Sequence, residues 1–67
     1  MADLMQEIAE IERRVGLLGL TMAFVCKWAG LPKETWTRWK AGGRDPQKSK
    51  WDAIVDAVAD LERRLAR

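Results

Sequence analysis

The chain has 67 residues, a net charge of +2 and 48% hydrophobic residues, which suits one domain, residues 1–67, near the lower size limit for folding without staples. A single cysteine excludes an intrachain disulfide, and with no histidine beside it no zinc site or other metal centre is expected. The longest uncharged run, residues 15–26, is too short to span a bilayer, and the N-terminus carries Asp3 and Glu7 but no early basic residue, so neither a membrane span nor a secretory signal is expected and a soluble cytoplasmic protein is the default.

In chain order, Leu4, Ile8, Ile11, Val15 and Leu18 repeat at alternating spacings of four and three, which predicts an amphipathic first helix over about 3–18. Its polar face carries Glu7, Glu10, Glu12, Arg13 and Arg14, with Glu10 and Arg14 in favourable i,i+4 order. Gly19 is the expected left-handed terminator, with Gly16 as a competing stop. Thr21 is suited to cap a second helix over 21–29, in which Val25, Cys26 and Ala29 face inward. Cys26 reads as a small buried hydrophobe and not as a redox or metal residue.

Gly30 ends that helix, Leu31 fills the turn, and Pro32 opens a third helix over 32–41 that stops at Gly42-Gly43. At about 100° per residue, Pro32, Trp36 and Trp39 share one narrow arc, while Lys33, Glu34, Thr37 and Arg38 lie opposite. Two tryptophans can anchor such a helix in a core while four polar side chains point outward together, ready to meet base-pair edges in a major groove. After a polar loop, Ser49 with Asp52 three residues on resembles a capping box. Trp51, Ile54, Val58, Leu61 and Leu65 then predict a fourth helix over 50–66. Asp52, Asp56 and Asp60 form an outer acidic row on it, and no strand is predicted.

Charge is unevenly distributed. Residues 1–26 carry two basic and four acidic side chains, residues 27–50 seven and two, and residues 51–67 three and four. The basic excess therefore falls on the third helix and the loop after it, as binding to phosphates would require. No histidine, glycine-rich phosphate loop or paired-carboxylate pocket is present, so no catalytic residue, cofactor or small-molecule substrate is expected and the chain does not read as an enzyme.

From Leu18-Gly19-Leu20-Thr21, through the small Cys26 and the Gly30-Leu31 turn, to Trp36, Trp39 and Gly42, the residues resemble the lambda-repressor-like family of phage repressors, Cro proteins and related bacterial regulators. The resemblance covers about residues 4–61 and implies an all-α, four-helix bundle with a helix-turn-helix that binds two-fold operator DNA as a homodimer in a bacterial or phage-infected cell. Met22 stands where that family commonly has a polar, phosphate-touching residue, often glutamine. The chain ends with its fourth helix, so the dimer surface is expected elsewhere than on a fifth. Thr37-Arg38-Trp39-Lys40 with the long helix behind it also resembles small phage activators that assemble beyond dimers.

The expected function is therefore sequence-specific binding of double-stranded DNA by a small transcription regulator, of the Cro repressor type. Lys33, Glu34, Thr37 and Arg38 are the candidates for base contact, Arg38 first because a guanidinium pairs bidentately with guanine O6 and N7. Thr21, Lys40, Arg44, Lys48, Ser49 and Lys50 are the candidates for phosphate contact. Met22, Phe24 and Trp28 could form an exposed apolar patch, and this ridge or the first-helix stripe is the candidate surface for self-association. The competing reading is a protein-interaction, assembly or antitoxin-like module that uses the helix-turn-helix shape without reading DNA; it makes Trp28 matter more than Arg38.

Overall fold

The computed structural model describes residues 4–42 and 46–66, and these are all-α. Four helices follow one another: α1 (Leu4–Leu17), α2 (Met22–Ala29), α3 (Lys33–Ala41) and α4 (Lys48–Leu65). Ile8, Ile11 and Val15 of α1, Val25 and Cys26 of α2, Trp36 and Trp39 of α3, and Ile54, Ala57, Val58 and Leu61 of α4 form one buried core. No helix among the described residues is long and apolar enough to cross a membrane.

Two Gly-Leu pairs set the path of the chain. Gly19 (φ 75°) and Gly30 (φ 80°) adopt the left-handed conformation that glycine reaches without a steric penalty. The next residue's amide then reaches back five positions, from Leu20 N–H to the Val15 carbonyl (3.2 Å) and from Leu31 N–H to the Cys26 carbonyl (2.8 Å). Both leucines thereby turn into the core edge, where they are half-buried. Gly16, the competing stop, lies inside α1 on a face where an added Cβ would meet nothing, so the helix passes through it.

Between Leu20 and Leu31, the Thr21 hydroxyl accepts from the Phe24 amide (3.2 Å) and starts α2 as expected. Pro32 is the extended residue before α3 and not its first helical residue (ψ 146°). α4 starts two residues before the expected position. The Gln47 carbonyl accepts from the Trp51 amide (2.9 Å), and Lys48 pairs with Asp52 (3.0 Å), so the Ser49–Asp52 capping box does not form.

Gln6 and Glu7 share an open groove with Trp51 and Val55 near the start of α4, while Arg14 pairs with Glu62 near its end. That pairing replaces the expected Glu10–Arg14 contact. Glu10 bonds Arg13 (3.0 Å from Nε), freeing Arg14 for a bidentate bond that fastens α1 to α4. Leu65, expected on the core stripe, is 49% exposed, because the stripe continues one turn past the last layer it can cover.

Candidate nucleic-acid interface

α3 is fastened from behind by indoles. Trp36 and Trp39 are only 3% and 6% exposed. Their rings meet edge to face at 5.7 Å, and both contact the Trp51 ring of α4, Trp36 in a parallel stack at 6.1 Å and Trp39 tilted at 5.7 Å. Aromatic pairs at such separations contribute about 0.5–1.5 kcal/mol each beyond the area they bury. The Trp36 indole N–H donates to Glu12 Oε2 of α1 at 3.1 Å, so the ring is satisfied at its polar edge as well.

The opposite face holds the four residues chosen for base contact. Lys33, Glu34, Thr37 and Arg38 are all exposed. Among the described residues none of Lys33, Glu34 and Arg38 has an ion pair, whereas Arg13, Arg14, Lys40, Lys48, Arg63 and Arg64 each have a carboxylate partner. Thr37 Oγ1 donates weakly to the Lys33 carbonyl (3.4 Å), which directs its hydroxyl back to the helix.

The candidates for phosphate contact divide. Thr21 and Ser49 are exposed near the starts of α2 and α4, and Lys50 is exposed with no acidic partner among the described residues. Lys48 holds Asp52 through a surface i,i+4 pair with its own side chain 89% exposed, an interaction worth little in water. Lys40 is tied to Glu12 Oε2 at 3.0 Å, across to α1. Arg44 lies outside the described residues.

The apolar candidates also divide. Met22 is half-buried and packs on the core, so it does not belong to an exposed patch. Phe24 and Trp28 are 42% and 46% exposed and stack at 5.9 Å. Trp28 meets α4. The Trp28 indole N–H donates to Asp60 (3.2 Å), and the Arg64 guanidinium lies 5.3 Å over the Trp28 ring. Asp60, expected in an outward acidic row, accepts also from Arg63 (3.2 Å) and Arg64 (2.8 Å). Of the first-helix stripe, Ile8, Ile11 and Val15 are buried, and Leu4 and Leu18 are half-buried against the core.

Sequence reasoning missed Glu12. Its position on the polar face of the first helix looks like that of Glu7 and Glu10, and only the tertiary fold brings it to Trp36 and Lys40. Partial burial pushes its carboxyl upward, but the Trp36 N–H and the Lys40 ammonium outweigh this and hold it below the ordinary range. Glu62 is lowered by its hydrogen bonds from Arg14, and Asp60 by those from Arg64. Burial pushes the Cys26 thiol upward, away from reactive thiolate.

These carboxylates set a pH dependence. Because their folded values are lowered, the unfolded chain binds more protons between the two sets of values. The associated stability is complete above the ordinary carboxylate range and is lost as pH falls from that range through the lowered folded values. Urea midpoints are expected to be flat from pH 7 to about 5.5 and to fall below about pH 4.5. A midpoint that rises on acidification would contradict these pairings.

Among the described residues no three histidine, cysteine, aspartate or glutamate side chains gather as a metal site would need. No protein-family model, curated protein or solved structure matches this chain.

Proposed function

We propose that the chain is a sequence-specific double-stranded DNA-binding transcription regulator, of the Cro repressor type, that lays α3 in the major groove. The observation that carries this reading is the division of α3. Its two indoles are buried, while Lys33, Glu34 and Arg38 stand exposed with no ion pair among the described residues. A charged helix face left without internal partners is available for partners outside the chain.

Each side chain then has a role in the groove. Arg38 donates two bonds to guanine O6 and N7. Glu34 accepts from cytosine N4 and repels phosphate in a wrong register. Thr37, its hydroxyl turned to the backbone, offers a methyl to thymine. Lys33 meets guanine or the adjoining phosphate. Thr21, Lys48, Ser49 and Lys50 meet phosphates at the starts of α2 and α4, and Arg44 is the further candidate for a phosphate. Such a protein works in the cytoplasm of a bacterial or phage-infected cell.

A nine-residue helix reads only a few base pairs, so the reading includes a homodimer on a two-fold operator with half-sites about 34 Å apart. Phe24 and Trp28 are the surface for the second copy. Trp28 meets α4 at Asp60 and Arg64, whereas Trp36 and Trp39 meet it at Trp51, about 14 to 20 Å away along the helix, so dimer contact and groove contact do not compete. Phe24→Ser is expected to shift the chain from dimer to monomer at tens of micromolar in a sedimentation run. A wild-type chain that stays monomeric, alone and with DNA, would exclude the homodimer.

The second reading, an assembly or antitoxin-like module that reads no DNA, is favoured by the same exposed, stacked pair of rings. Titration of ¹⁵N-labelled protein with a mixed-sequence duplex at low salt separates the two. DNA binding predicts amide shifts at Lys33 to Arg38, Thr21 and Lys48 to Lys50. Shifts confined to Phe24 and Trp28, or none, would support the module instead.

A further inference from the structure

We propose that Glu12 positions the recognition helix and, by holding Lys40, withholds one cation from the DNA phosphates. The second half rests on the DNA-binding reading above; the first does not. A single carboxylate oxygen, Glu12 Oε2, accepts from the Trp36 indole N–H at 3.1 Å and from the Lys40 ammonium at 3.0 Å. Trp36 and Lys40 are one turn apart on α3, so two bonds to one point of α1 fix both the rotation and the tilt of the helix. Trp36 is buried, and the Glu12 carboxylate is the acceptor that its N–H meets.

Lys40 is the other half of the device. It lies on the flank of α3 beside the direction of Lys33, with its side chain half exposed, where a free ammonium would reach the phosphates that border a groove holding this helix. Lys48, by contrast, is paired only with a neighbour on its own exposed helix surface and exchanges easily. Holding Lys40 lowers the grip on every sequence alike and leaves the exposed face of α3 to decide which duplex is bound. Glu12 is thus a positioning residue that also lowers affinity for every sequence by the same factor.

The test has one arm without DNA and one with it. In the first, the indole N–H resonance of Trp36 is compared in wild type, Glu12→Gln and Glu12→Ala. The amide oxygen of glutamine can still accept, so E12Q is expected to keep the resonance near its wild-type position and E12A to displace it. In the second, affinity for a mixed-sequence duplex is measured against salt. Release of Lys40 in E12Q is expected to steepen the log–log slope by about one unit, so that lowering salt from about 200 to 50 mM gains an extra factor of about four. Lys40→Ala alone leaves the wild-type slope unchanged, and E12Q with K40A returns it to wild type.

A Trp36 resonance unmoved in E12A overturns the positioning role. An unchanged slope in E12Q, or a slope reduced by K40A alone, overturns the withholding of Lys40. If the wild-type chain binds no duplex at any salt, the DNA-binding reading falls together with the Lys40 half, while the resonance arm still decides the bracing by Glu12.

Discussion

Trp36→Ala is expected to remove a large part of the chain's stability. Truncating a buried tryptophan costs about 3–5 kcal/mol. A domain of this length has a total stability of only about 3–10 kcal/mol, at roughly 0.05–0.15 kcal/mol per residue. Trp36 is 3% exposed, contacts the Trp39 and Trp51 rings and donates to Glu12, so its loss opens a cavity where α1, α3 and α4 meet. Trp36→Phe keeps a ring but not the N–H, and is expected to cost about half as much. Far-ultraviolet circular dichroism through a urea titration measures both. A loss below about 1 kcal/mol for the alanine variant would mean that the indole does not anchor α3.

Arg38→Ala is expected to do the opposite, leaving the fold intact and damaging recognition. Arg38 is exposed and has no ion pair among the described residues, so its removal leaves nothing buried and unsatisfied. On a preferred duplex the loss of a bidentate guanine contact is expected to cost about 1–3 kcal/mol, or roughly 5- to 150-fold in affinity. On a random duplex the loss should be small. Arg38→Lys restores the charge but not the planar fork, and is expected to recover random-duplex binding more than preferred-duplex binding. Fluorescence anisotropy on the two duplexes distinguishes this from a phosphate contact, which would weaken both equally and reduce the salt slope by about one unit.

What could be read from the sequence was what depends on near neighbours in the chain. Helical spacing located all four helices within about two residues, and the two Gly-Leu pairs located the turns, because a left-handed residue followed by an apolar one is a local requirement. The inward indoles and the outward Lys33, Glu34, Thr37 and Arg38 followed from angular position alone. What could not be read depends on which helix lies opposite. Arg14 has an acidic neighbour at the right spacing on its own helix, yet bonds Glu62 of α4. Glu12 looks like any solvated carboxylate until α3 is laid beside α1. Met22 packs inward and Leu65 faces out because a stripe gives direction around a helix but not where the core begins and ends. Ser49 had an acidic residue three positions on, but the extended Gln47 had already started the helix.

We propose DNA as the partner of the α3 surface on its side-chain placement, and selection from a library of random duplexes tests that proposal most directly. Wild type is expected to enrich a two-fold motif, and Arg38→Ala to enrich the same motif with its guanine preference erased at one symmetric pair of positions. No enriched motif from wild type, or an identical motif from both proteins, would contradict base reading by this helix.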